Sequence, residues 1–385
     1  MNPFRYIAVL LLIALCPSSS QPQTKPDQDY LLYVLSEGAD KISLIRFGPG
    51  GARIDHQIDT GDMPIDIDGP HGIVVSPDRQ FYYVSLAHGR PFGSVWKYST
   101  KDDALLGKTT LGYFPATLDI TRDGNFLFVV NFNLHGDMVP SSVSVVSTGT
   151  MTEVARIQTC TMPHGSRINS QGSKQYSACM MDDMLVEIDT RSLKATRHFV
   201  VTKNREMGMM GPPKPAITES MHSMHGGHGS EAPKPGDTSC SPTWAEPSID
   251  GASVFVACNG SSEIVEVDAN RWELIRRIPA RPGVYNLDIT HDGSKLIATN
   301  KRDQSVSVFD VKSGKELARL PTKRKVLHGV VVSPDDRYAF VTVEGVGSEP
   351  GTVEVIDLSA LKTVTTLDLP EAAAGIDFYK MAPPR

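Results

Sequence analysis

Beyond residue 15 the sequence holds no apolar run long enough to cross a bilayer as a helix, which excludes a multi-span helical membrane protein. Excess positive charge is also missing: 38 Lys and Arg face 44 Asp and Glu, a net charge of −6. A dedicated binder of nucleic acid or anionic lipid would show a basic patch instead. There is no Cys-x-x-Cys-His, so no covalent c-type haem is expected. Walker loops, Gly-x-Ser-x-Gly elbows and His-Glu-x-x-His helices are absent too, which removes the familiar nucleotide-binding and hydrolase motifs.

The N-terminus reads as an export signal over residues 1–20, followed by a short linker over 21–28. Arg5 precedes the apolar stretch Tyr6 to Leu15, which is too short for a membrane span, and small residues follow. Cleavage after Cys16 or after Ser20 fits the small-residue rule. A lipid-anchored Cys16 is the lesser reading, because Leu15 is bulky where such a signal wants Gly or Ala. The expected location is the periplasm or outside the cell.

The rest of the chain repeats itself. HGIVVSPDRQFYYVSL from His71, ATLDITRDGNFLFVVN from Ala116, HGSRINSQGSKQYSAC from His164, AEPSIDGASVFVAC from Ala245, NLDITHDGSKLIATN from Asn286 and HGVVVSPDDRYAFVTV from His328 share one plan. Each is an apolar strand, a tight polar turn and a β-branched or aromatic strand. Asp123-Gly124, Asp250-Gly251 and Asp292-Gly293 supply hairpin turns. Two further strand-like pieces follow each pair, giving about four strands per unit and a period of about 40 to 50 residues, the spacing of propeller blades. Residues 30–60 hold three strands and lack an opening one, while Gly375 begins a spare opening strand. Six internal units and one shared by the termini predict an all-β, seven-bladed β-propeller over 29–385, closed by pairing its two ends, with no exposed sheet edge left at the seam.

The segments SPDRQFYYVSL, TRDGNFLFVVN, DGSKLIATNKRDQSVSVFD and SPDDRYAFVTV resemble the YVTN-repeat β-propeller family, YncE-like exported proteins included. The resemblance covers nearly the whole mature chain. It implies an exported binding or scaffold protein, with cofactor-carrying oxidoreductases and lactonases among related propellers. Fold alone does not choose between them.

Propeller connectivity brings the start of each inner strand, the loop after each second strand and the links between blades to one face, the top. His71, His164 and His328 each open an inner strand and precede Gly, and His88 and His135 lie in loops after second strands. Five histidines should therefore meet at the channel mouth, where imidazole can ligate metal or move protons. The competing explanation is inherited repeat chemistry, with the rings bonded to backbone and Gly easing a tight entry. Arg167, Asp182, Asp183, Glu246, Lys301, Arg302 and Glu344 are also expected near the top, most simply as a solvated rim. Asp62, Asp66 and Asp68 do not match a calcium loop and read as a solvated turn.

One interval is too long. Residues 203–239, rich in Gly, Pro, Met and His, read as a flexible top-face loop without strand or helix period. Met207, Met209, Met210, Met221, His222, Met224, His225 and His228 concentrate there. Thioether sulfur suits Cu(I) and imidazole suits Cu(II), so copper is the favoured ion. Cys160 with Cys179, and Cys240 with Cys258, sit at equivalent places in two blades. They are candidate in-blade disulfides in an oxidising compartment.

The chain thus reads as a monomeric exported binding protein rather than an enzyme. It would take a metal ion, copper first, or another small ligand at the top face through the histidines and the Met/His loop. An oxidoreductase with a metal or non-covalent cofactor at the mouth, a lactonase-like hydrolase, and a metal-free platform for another exported protein are the alternatives.

Overall fold

A computed structural model describes residues 25–62, 66–88, 92–213 and 239–385. The segment expected to be an export signal, residues 1–20, lies outside them, and so do Met221, His222, Met224, His225 and His228. Among the described residues no helix is long and apolar enough to cross a membrane.

Seven antiparallel sheets make up the described chain. Six are built from consecutive strands, and their inner strands are Pro70–Val75, Pro115–Ile120, Pro163–Ile168, Pro242–Pro247, Val284–Ile289 and Leu327–Val332. Four of these begin with Pro, which is tolerated at a first strand position because it has no N–H to offer the ladder. The seventh sheet joins the C-terminal strand Ala373–Ala382 to Asp29–Ser36, Lys41–Gly48 and Gly51–Asp59. The chain is therefore a seven-bladed propeller whose ends share a blade. The seam is tied further by buried Arg46, which donates to Asp29 at 2.8 Å and to Asp55 at 2.7 Å, and by the Arg385 N–H on Asp29 at 3.0 Å.

The hairpin between first and second strands carries a repeated lock. The hydroxyls of Ser76, Thr121, Ser248, Thr290 and Ser333 donate to the Asp two residues on, at 2.6 to 2.7 Å. Gly124 takes the left-handed conformation that the turn needs, at φ 72°.

Inner strands pack against one another so closely that the Gly of the His-Gly pairs has its own cause. A Cβ on Gly72 would fall 2.1 Å from the Ala116 carbonyl, and one on Gly165 would fall 2.3 Å from the Thr243 carbonyl. Part of the His-Gly signal is thus packing.

Two disulfides form. Cys240, just before the inner strand Pro242–Pro247, bonds Cys258 at the end of the same blade's second strand. Cys160 instead lies in the outer strand Thr152–Thr161 of one blade and bonds Cys179 in the second strand of the next, so this bridge ties two blades together rather than closing within one as expected. They are compatible with an oxidising compartment.

The expectation of a structureless 203–239 needs correction. Met207–Met210 forms a fifth strand on the blade that opens at Pro163, paired with Lys194–Val200. Glu206 before it is held by Arg277 of the next blade at 2.6 Å. Without a helical or alternating pattern this short strand left no periodic trace. An existing sheet edge, through its free N–H and C=O groups, makes it a strand.

Candidate functional site

The second residue of each inner strand points into the top of the channel. Going round, these are His71, Ala116, His164, Thr243, Tyr285, His328 and Ala374. The three histidines do meet: the His71 ring centroid is 5.0 Å from that of His328 and 6.2 Å from that of His164. His88 and His135 stand beside them, 5.8 Å apart, with Phe114 against both.

The hydrogen bonds separate the three roles. His164 is fully partnered. Its Nδ1 donates to the Thr243 carbonyl at 3.0 Å, so its Nε2 accepts from the Tyr285 hydroxyl, also at 3.0 Å. Burial, helped by the nearby His71, pushes His164 down to about 3. It is a neutral wall of the site rather than a free ligand. His71 donates from Nδ1 to Glu37 at 2.9 Å, and the same carboxylate takes His88 at 2.8 Å. Burial alone would raise Glu37, but the charge on His71 and the bonds from both rings outweigh it and hold Glu37 well below the usual range. His88 is raised by its bond to Glu37. His71 Nε2 has no hydrogen-bond partner among the described residues. His328 is pushed well down by burial and by Lys301. Its Nε2 is 3.9 Å from Glu344, too long for a hydrogen bond, and its Nδ1 has no partner among the described residues.

Asn286 adds a third orphan, Oδ1. His71, His328 and Asn286 are all more than nine-tenths buried, and all line one cavity of ≈30 Å³ just inside the mouth. Outside it, Lys301 bonds Glu344 at 3.1 Å and lies 3.9 Å from the centre of the Tyr285 ring. Among the described residues no group of three or more His, Cys, Asp or Glu side chains is arranged to hold a metal ion. What converges is two imidazoles and an amide.

The methionines are placed otherwise than expected. Met207, Met209 and Met210 lie on the outermost strand of a five-stranded blade, about 19 Å from its inner strand at the usual strand spacing. Sulfur nearer the mouth comes from Met162, Met180 and Met181, packed with Phe114 and Phe132, and Phe132 touches His164 at 4.7 Å between ring centres. The rule that flags His88 (loops after second strands lie on top) also covers Met180, Met181 and Glu37. Tyr285 escapes the sequence reading because the repeat signal there begins at Asn286, one residue too late.

Arg167 and Glu246 are not on the top rim as expected. Each is the fifth residue of its inner strand, about 10 Å down the channel. A strict period of two would turn second and fifth residues to opposite faces. The six internal inner strands each carry a register irregularity near their start, and such a bulge re-aims the residues after it. Asp182 and Asp183 cap backbone at the rim, Asp182 on Thr161 and Asp183 on Ser239, Cys240 and Ser241.

No family model matches the chain, and no curated protein matches it. Among solved structures it is similar to a Pseudomonas aeruginosa periplasmic gluconolactonase, PpgL, at 16% identity and a TM-score of 0.66, covering 92% of this chain and 100% of that one. A putative 6-phosphogluconolactonase from Bacteroides fragilis gives 15% identity and 0.66, covering 92% and 99%. Kuenenia stuttgartiensis hydrazine synthase gives 21% and 0.57, covering 78% and 80%. Likeness at these identities concerns the fold.

Proposed function

We propose that this chain is an exported propeller of the YVTN-repeat kind that binds a late transition metal ion, copper first, at the top mouth of its channel. One observation carries the reading: His71 Nε2, His328 Nδ1 and Asn286 Oδ1 are buried around one small cavity without partners among the described residues. The Glu37–His71 bond supports it, since a ligating imidazole usually gives its other N–H to a carboxylate, which orients the ring and raises its basicity. Imidazole nitrogens suit copper and zinc, and the sulfur of Met162, Met180 and Met181 beside the mouth favours copper. In this reading the Met/His tract is a capture arm that delivers the ion inward.

The test is titration of Cu(I) and Cu(II) into metal-free protein. One equivalent bound, lost in His71→Ala and His328→Ala but kept in His164→Gln, supports the mouth site. Binding lost only on deleting residues 214–238 moves it to the tract. No binding by any of these proteins ends the metal reading and leaves three orphans for a water molecule to satisfy.

A lactone hydrolase is the second reading, favoured by the relatives named as lactonases. Tyr285, bonded to His164 and beside Lys301, is the acid–base group it would use. It predicts metal-free turnover of a simple lactone, abolished in Tyr285→Phe.

A further inference from the structure

The other end of the channel opens into a cavity of ≈400 Å³, a size that suits small ligands. Its floor is the ring of fifth residues: Val74, Asp119, Arg167, Glu246, Asp288, Val331 and Asp377. Three of the acids have a structural task. Asp119 accepts the N–H groups of Ile120 and, in the next blade, Ile168; Asp288 does the same with Ile289 and Val332, and Asp377 with Phe378 and Val75. This is an interblade clamp, repeated wherever the fifth residue is Asp.

Four blades lack that Asp: two carry Val74 and Val331, and two adjacent ones carry Arg167 and Glu246, whose polar groups are not all spent on the fold. Arg167 lies 4.6 Å over the Trp244 ring and donates from Nη1 to the Ser166 carbonyl at 3.1 Å. The rest of its fork meets no acceptor among the described residues. The Glu246 side chain is 8% exposed, and its Oε2 stands 3.3 Å from Trp244 Nε1 and 3.8 Å from Arg167 Nε, the latter too far for a hydrogen bond. Its Oε1 meets no donor among the described residues, although it borders the cavity.

A guanidinium with unspent donors thus stands beside a carboxyl group with an unspent oxygen, under apolar walls that include Leu118, Ile249 and Val332. A simple anion would satisfy Arg167, with Arg79 and His291 the other basic residues of the lining, but it would leave Glu246 Oε1 without a donor and add negative charge beside four carboxyl groups. A simple ammonium would satisfy Glu246 but stand against Arg167. A ligand carrying both ends satisfies both and adds no net charge. We propose that this lower cavity binds a free α-amino acid as its zwitterion, with the carboxylate on Arg167, the ammonium on Glu246 and the side chain along the apolar wall. Arg167 also borders the small cavity beneath the histidines, but the proposal needs no metal there.

The experiment is calorimetric titration of the mature protein with the free amino acids. Each binder is compared with its decarboxylated amine, its deaminated acid and glucose. At least one amino acid is expected to bind, and loss of either charged end should weaken it about tenfold or more, the value of one charged hydrogen bond. Arg167→Lys, which keeps the charge and removes the fork, and Glu246→Gln should weaken it likewise while circular dichroism stays unchanged. His71→Ala and His328→Ala should leave it alone, which separates this site from the mouth. Absence of any amino-acid binder, equal affinity for amine, acid or glucose, or full affinity in both Arg167→Lys and Glu246→Gln would overturn the proposal.

Discussion

The two ends of the channel are lined by the same seven strands, three residues apart, and, Arg167 and Glu246 excepted, they use polar side chains in opposite ways. At the lower ring three carboxylates are saturated by backbone N–H groups and hold neighbouring blades together. At the upper ring two imidazoles, with the Asn286 amide just below, keep buried atoms without partners among the described residues, an arrangement that costs stability unless something binds there.

That contrast can be broken by mutation. The largest effect is expected for Asp288→Ala, which orphans the N–H groups of Ile289 and Val332 together. Denaturant unfolding should show a loss of about 4 kcal/mol, two buried donors at the usual cost. His328→Ala, at the other end, should cost markedly less in the same assay while removing metal binding; an equal cost would erase the distinction between the rings.

Next in size is the pair Cys240→Ala and Cys258→Ala, which frees the top of one blade. Releasing an 18-residue loop should cost about 3 kcal/mol by the same measurement. A loss confined to affinity would make the bridge part of the site rather than of the fold.

Acid should act at the mouth. His164 is held near 3 when folded, below its usual value near 6.5, so its neutral form stabilises the folded state above about pH 6.5. That contribution is lost as pH falls from about 6.5 toward 3, where folding must exclude a proton that the unfolded chain binds. Melting temperature against pH should therefore be flatter over this window in His164→Gln than in the parent.

The smallest effect is expected on the fifth strand. Met210 is 81% exposed, and Met210→Lys should change stability by no more than about 0.5 kcal/mol. It should also leave one-equivalent metal binding unchanged; loss of the ion would return the outer methionines to the site.

Much of this architecture was legible in the residues. The repeated strand–turn–strand segments, the Asp-Gly turns and the spare strand from Gly375 specify seven blades and their closure, because each is a local signal that recurs. The gathering of His71, His164 and His328 was legible for the same reason, since equivalent residues in a closed ring must face a common centre. What the histidines do there was not. His164 is spent on Thr243 and Tyr285, while His71 leans on Glu37 from a different blade, and partners across blades leave no mark in spacing.

The sequence by itself determined the fold, the blade count and which face carries the histidines, since periodicity and turn chemistry act between near neighbours in the chain. Only the tertiary structure decided that a bulge turns the fifth residues inward beside the second ones, that Arg167 and Glu246 stand together far below the rim, and that Met207–Met210 joins a sheet edge. Each of these depends on hydrogen-bond register between strands, and register is set by the neighbour that a strand meets after folding.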